Sequence, residues 1–165
     1  MTNQYHATPY DISATGFYFS TYEEYCEKAA SHTNKYGQPV EEYEIQYING
    51  DNHELFLALG INQANLQLWF EEFEDLCEED IIKAIYLANN FGYSAEEITD
   101  RLEDVCLFEG TAEQYAEDFI EETGALNHET LRYYFDTKAF ARDMLLGGDI
   151  SEITVNGTEY IVWGD

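Results

Sequence analysis

The sequence predicts an α+β protein, an elongated chain of three small lobes in series. Residues 1–60 form an α/β N-terminal lobe and residues 61–104 a central small helical bundle. Residues 105–165 form an α/β C-terminal lobe with a terminal β-hairpin. Two observations predict this layout. Strand-like patterns occur only towards the two ends, and the middle third carries helical periodicity between short loops. A third predicts that the chain folds at all. Hydrophobic residues make up 45% and aromatics 16%, whereas disordered acidic chains are poor in aromatics and cannot offset ordering entropy by burial.

The elements follow in order. Gly16-Phe17-Tyr18-Phe19 is a short aromatic strand. Thr21-Tyr22-Glu23-Glu24 opens a helix as a capping box, hydroxyl and carboxylate satisfying free N–H groups reciprocally. Tyr22, Cys26 and Ala29 give that helix its apolar stripe, and Gly37-Gln38-Pro39 ends it. Residues 42–48 alternate Glu, Tyr, Glu, Ile, Gln, Tyr, Ile, the period-2 pattern of a half-buried strand, with Asn49-Gly50 as the turn after it.

In the middle third Leu66, Trp69, Phe70 and Phe73 fall at i, i+3, i+4 and i+7, one face of a helix. Asp80 is expected to cap the next helix, which carries Ile81, Ile82, Ile85 and Ala88 and ends near Asn90–Gly92. Ser94-Ala95-Glu96-Glu97 is a second capping box. Thr111 caps a helix with Ala112, Tyr115, Ala116, Phe119 and Ile120 on one face, stopped at Gly124. Short helices near Thr130–Tyr134 and Thr137–Leu146 follow, the second capped by Asp136. Strands at Ile150–Val155 and Thr158–Trp163 are joined by Asn156-Gly157, a dipeptide that accepts the positive φ of a type I′ turn.

Charge is the outlying property. Asp plus Glu total 34 against 7 Lys plus Arg, a formal net charge of -27, where small domains are comfortable at a magnitude of roughly 2–8. Between Glu71 and Glu122 there are 18 acidic residues and two basic ones, Lys83 and Arg101. The acids are Glu71, Glu72, Glu74, Asp75, Glu78, Glu79, Asp80, Glu96, Glu97, Asp100, Glu103, Asp104, Glu109, Glu113, Glu117, Asp118, Glu121 and Glu122, and all are candidate partner-binding residues. Glu71/Asp75, Glu74/Glu78, Asp75/Glu79, Asp100/Asp104, Glu113/Glu117 and Glu117/Glu121, among others, stand at i, i+4. In continuous helices such repulsion costs on the order of 1–3 kcal/mol in total. Lys83 and Arg101 each follow a glutamate by four residues and relieve it only locally.

The charge selects a basic partner and disfavours nucleic acid, whose phosphates require basic patches. Duplex DNA carries about one charge per 1.7 Å of axis, so the net charge of -27 spread at that density needs roughly 45 Å, which favours lobes in series. Other classes fit less well. Cys26, Cys77 and Cys106 have no C-x-x-C spacing and read as small buried hydrophobes, and the four histidines are scattered. No loop has the oxygen-ligand spacing of a calcium site, so neither metal nor cofactor is expected. No nucleophile–base pair stands out, and among 34 carboxylates no dyad can be singled out, so no enzymatic activity is expected. The first residues lack a basic region and an apolar run, and no segment approaches a membrane span, so the expected compartment is the cytoplasm, with no membrane partner. The rivals are a general acidic binding module for another basic DNA-binding protein, a halophilic domain, and a small carboxylate hydrolase.

The tract Leu131-Arg132-Tyr133-Tyr134-Phe135-Asp136-Thr137-Lys138-Ala139-Phe140-Ala141-Arg142-Asp143-Met144, with Gly148-Asp149 and the hairpin to Trp163, resembles the antirestriction protein ArdA family. Tyr134-Phe135-Asp136, Ala139-Phe140-Ala141-Arg142-Asp143 and Gly148-Asp149 carry the resemblance, with a weaker echo at Tyr43-Glu44-Ile45. It implies a DNA mimic of mobile genetic elements, a curved three-domain homodimer whose carboxylates replace phosphates in the DNA-binding groove of type I restriction–modification enzymes. The tract itself, relatively basic through Arg132, Lys138 and Arg142, is a poor phosphate imitation. Tyr134, Phe135, Phe140, Arg142, Asp143 and Met144 are therefore expected at a lobe or dimer interface.

Overall fold

The strand at the centre of the first sheet is one that the sequence patterns pass over. In the computed structural model, which describes residues 2–164, β1 (Gln4–Pro9) lies between β2 (Phe17–Phe19) and β3 (Tyr43–Asn49), antiparallel to both. Only Tyr5 and Ala7 mark its inner face, and both are fully buried. Two apolar positions, one of them alanine, are too few to register as an alternation.

Helices hold 46% and strands 21% of the residues, in two small sheets, so the protein is of the mixed α+β class. The chain divides between Asp100 and Arg101 into two compact units. In the first, α1 (Tyr22–Ser31) and α2 (His53–Ala58) flank β3 in sequence. There follow α3 (Leu66–Leu68), which runs on as a π-helical turn over Trp69–Phe73, α4 (Glu78–Tyr86), which runs on as a second over Leu87–Phe91, and α5 (Ala95–Thr99). Residues 61–100, expected as part of a separate central bundle, belong to this first unit. Trp69 meets Phe56 edge-on at 5.2 Å, and Phe70 meets Tyr5 in the same manner at 5.2 Å. The inner face of a three-stranded sheet needs a cover, and these rings provide it.

A hydrogen-bonded core anchors that cover. The Trp69 Nε1–H donates to the Tyr5 hydroxyl at 2.8 Å, and that hydroxyl donates to Glu74 Oε1 at 2.9 Å. Asn3 Nδ2 donates to the same carboxylate oxygen at 3.3 Å, and the Tyr47 hydroxyl donates to Asn3 Oδ1 at 2.6 Å. Burial pushes the Tyr5 hydroxyl far above the ordinary tyrosine range. Gly50, at φ +136°, passes so close to this network that a Cβ there would collide with Asn3 Oδ1 and the Tyr47 hydroxyl.

In the second unit β4 (Val105–Glu109) and β5 (Ser151–Val155) flank β6 (Thr158–Gly164), again antiparallel. Like β1, β4 carries no clean alternation and goes unread. Three helices accompany the sheet: α6 (Ala112–Thr123), α7 (Glu129–Tyr134) and α8 (Thr137–Gly147). The core joins Ala112, Ala116, Ala141, Met144, Ile150 and Ile161. Alanines on both α6 and α8 let the two helices approach closely. Asn156 and Gly157 take φ of 51° and 81°, the expected turn between β5 and β6.

Several local expectations need correction. The Thr21 hydroxyl accepts from the Glu24 N–H, but the Glu24 carboxylate accepts from Ser20 N–H and Lys28 instead of closing the box on Thr21. α1 stops at Ser31, well before Gly37, because Asn34 Oδ1 accepts from Tyr36 and Gln38 N–H and makes a competing turn. It buries Tyr25 rather than Cys26, and all three cysteines are exposed. Cys77, not Asp80, stands at the N-cap of α4, leaving Asp80 inside its first turn. The Ser94 capping box is complete, and Thr111 forms a second with Gln114. Among the described residues no helix is long and apolar enough to cross a membrane.

Candidate acidic interaction surface

A carboxylate at a helix N-terminus has a local reason to be there, because the macrodipole and the free N–H groups favour negative charge. Glu78, Glu79 and Asp80 occupy the first turn of α4, and Glu96 and Glu97 the first turn of α5. The α4 triplet also has a counter-charge. Lys83 is buried, with its Nζ 2.6 Å from Glu79 and 3.9 Å from Asp80. Elsewhere in this unit, bonds from Ser13 and Asn34 hold the Asp11 carboxyl below the usual range, and the Lys28 bond, with Ser20 N–H, does the same for Glu24.

α6 is different. Ala112, Ala116 and Ile120 are its buried residues, one per turn. Glu113, Glu117 and Glu121 each follow a buried residue by one position, and Asp118 and Glu122 follow by two, on the side away from the core. Glu117, Asp118, Glu121 and Glu122 therefore crowd the second half of the helix, whose last turn holds no basic residue. There the macrodipole is unfavourable to them, and Glu117 stands at i, i+4 from both Glu113 and Glu121. From Glu113 to Glu122 is nine residue steps, about 13.5 Å at the helical rise, so the five carboxylates follow one another at about 3 Å of axis each. Among the described residues one ion pair relieves the row, Arg132 to Glu121 at 3.1 Å.

All the carboxylates expected to face a partner are exposed except Glu74, Asp80 and Glu113, which are half-buried. Glu74 is the clear departure, since it accepts the bonds of Tyr5 and Asn3 described above. Glu71, Glu72 and Asp75 are exposed beside it, Asp100, Glu103 and Asp104 are exposed on either side of the division between units, and Glu109 is exposed at the end of β4. Of the six pairs named from the sequence only Glu113/Glu117 and Glu117/Glu121 remain within one helix, where Asp118/Glu122 is a third. Residues 76 and 77 interrupt the helix between Glu74–Asp75 and Glu78–Glu79, Asp75 lies beyond the π-helical turn that holds Glu71, and Asp100 and Asp104 lie in different elements. Only the pairs of α6 share one α-helix.

The tract expected at an interface divides. Met144 is buried and Phe140 partly buried in the core of the second unit, and Phe135 packs on Phe140 at 5.6 Å. Arg142 lies 3.7 Å from its neighbour Asp143, with both exposed. Tyr134 is 79% exposed and Tyr133 84%, on a helix with no buried residue. Asp136 caps α8 as expected, accepting from Ala139 N–H.

Surface clefts that involve acids include one of about 120 Å³ beside Glu152 and Glu159, and two larger ones. One, of about 240 Å³ in the first unit, is lined by Tyr10, Asp11, Pro39, Val40, Glu41 and Glu42, none of them selected from the sequence because Glu41-Glu42 is a single doublet. The other, of about 220 Å³ in the second unit, includes Glu117, Glu121 and Arg132 in its lining. No group of three or more His, Cys, Asp or Glu among the described residues is placed to hold a metal ion. Comparison with protein-family models, curated proteins and solved structures finds no match for the chain.

Proposed function

We propose that the chain is a DNA mimic, an antirestriction protein that occupies the DNA-binding groove in the methyltransferase core of a type I restriction–modification enzyme. It acts in the cytoplasm as a homodimer, without turnover, and its carboxylates take the places of phosphates. The target class and the dimer come from the resemblance to the ArdA family. The mimicry rests on one observation, the second half of α6. Four carboxylates stand there against the macrodipole and against one another, with no basic residue in the last turn. A spacing of about 3 Å per charge along that helix is close to the 3.4 Å per charge of a single DNA strand. Selection for stability alone would place lysines at those positions, so an external basic surface is the natural reason for leaving them acidic.

Complementary fields make association fast and salt-sensitive. The test is a titration of the protein into a purified type I methyltransferase core bound to labelled duplex, at several salt concentrations. The expected result is stoichiometric displacement of the duplex that weakens as salt rises. An absence of displacement at any salt would leave an acidic binder of some other basic protein.

A further inference from the structure

The cleft of about 220 Å³ in the second unit is mostly polar, with acidic side chains beside a smaller apolar part of its wall. Glu117 and Glu121 stand one turn apart on α6, and Ile120, Leu126 and Phe135 supply apolar surface. The two carboxylates are not equivalent. Arg132 of α7 holds Glu121 at 3.1 Å, a side-chain bond that ties α7 to α6. Glu117 is exposed and makes no hydrogen bond or ion pair among the described residues. The cleft thus already seats one guanidinium and keeps a second carboxylate open beside it. Its volume lies below the roughly 300–1,000 Å³ of sites for drug-sized ligands, so it suits a single side chain.

We propose that this cleft receives an arginine side chain of the basic partner. The aliphatic stem lies along Ile120 and Leu126, the guanidinium meets Glu117, and the Phe135 ring is within reach for cation–π attraction. Arg132 is a positioning residue, since it holds the wall of the cleft in place and neutralises Glu121, leaving Glu117 as the free anion. The identity of the arginine's owner rests on the mimic reading, but the chemistry of the cleft does not.

The test is an amide NMR titration of the full chain with a tetra-arginine peptide, with tetra-lysine for comparison. Saturable shifts confined to residues 117–121, 126, 135 and 137 are expected, with tetra-arginine binding several-fold tighter than tetra-lysine. Glu117→Gln should weaken tetra-arginine binding about tenfold, and Phe135→Leu should remove the preference for arginine, each leaving the remaining cross-peaks in place. Shifts of equal size spread over Glu71–Asp80 and Asp100–Asp104, unchanged in Glu117→Gln, would overturn the proposal and leave mimicry by diffuse charge standing. Saturable binding in the cleft together with no displacement of duplex would keep the cleft and remove the mimic reading.

Discussion

The first turn of α4 and the last turns of α6 carry similar acidic runs, yet they cost the fold different amounts. In α4 the triplet Glu78-Glu79-Asp80 meets the favourable end of the macrodipole, and the buried Lys83 amine compensates Glu79 and Asp80. In α6 Glu117, Asp118, Glu121 and Glu122 meet the unfavourable end, and Arg132 compensates Glu121. An acidic run is thus informative about an outside partner only where the local structure gives no reason for it. Glu74 makes the same point from inside the core, since its carboxylate is committed to Tyr5 and Asn3.

The largest expected effect separates the two units. Burial raises the Tyr5, Tyr22, Tyr25, Tyr43 and Tyr47 hydroxyls in the first unit, Tyr25 up to about 12, and the Tyr115 hydroxyl in the second. A phenol whose folded pKa is raised stabilises fully below its unfolded value, about 10. That stability is lost as pH rises towards the folded value. The first unit should therefore unfold before the second between about pH 10 and 12, as read by tyrosinate absorbance together with amide signals from each unit. Loss of the second unit first would break the comparison.

Next is Glu74→Ala, which leaves the Tyr5 and Asn3 donors without their acceptor and should cost about 1–3 kcal/mol in urea denaturation. Its counterpart on α6 has the opposite sign. Glu117→Gln removes two i, i+4 repulsions and should raise stability by about 0.4–1 kcal/mol, even as it weakens binding. If both substitutions destabilised equally, Glu74 and Glu117 would not differ in role. The finest test reverses single charges at the two helix ends. Glu78→Lys should lower stability by about 0.3–1 kcal/mol and Glu122→Lys should raise it by a similar amount, with thermal melts at low salt showing the opposite signs.

Sequence patterns carried much of this. The Asn156-Gly157 hairpin, the Ser94 box and the Asp136 cap are local chemistry, set by a few adjacent residues, and each appears where expected. The strands β1 and β4 were illegible because their identity depends on the strands they pair with more than on their own alternation. The cleft was illegible for the same reason, since Glu117 and Phe135 line one cleft only through the packing of the chain after α6. The acidic bias was plain in the sequence. Which acids are committed to structure was not, because Glu74 finds its partners about 70 positions away in Tyr5 and Asn3.

The measurement closest to the central claim is the salt dependence of binding to a type I methyltransferase core, compared between the wild type and a variant with Glu117, Asp118, Glu121 and Glu122 all made neutral. Log affinity should fall steeply and linearly with log salt for the wild type, as it does for a phosphate backbone. The slope should become distinctly shallower in the variant, with its fold unchanged by circular dichroism. Equal slopes for the two proteins, or a wild-type affinity indifferent to salt, would contradict the account.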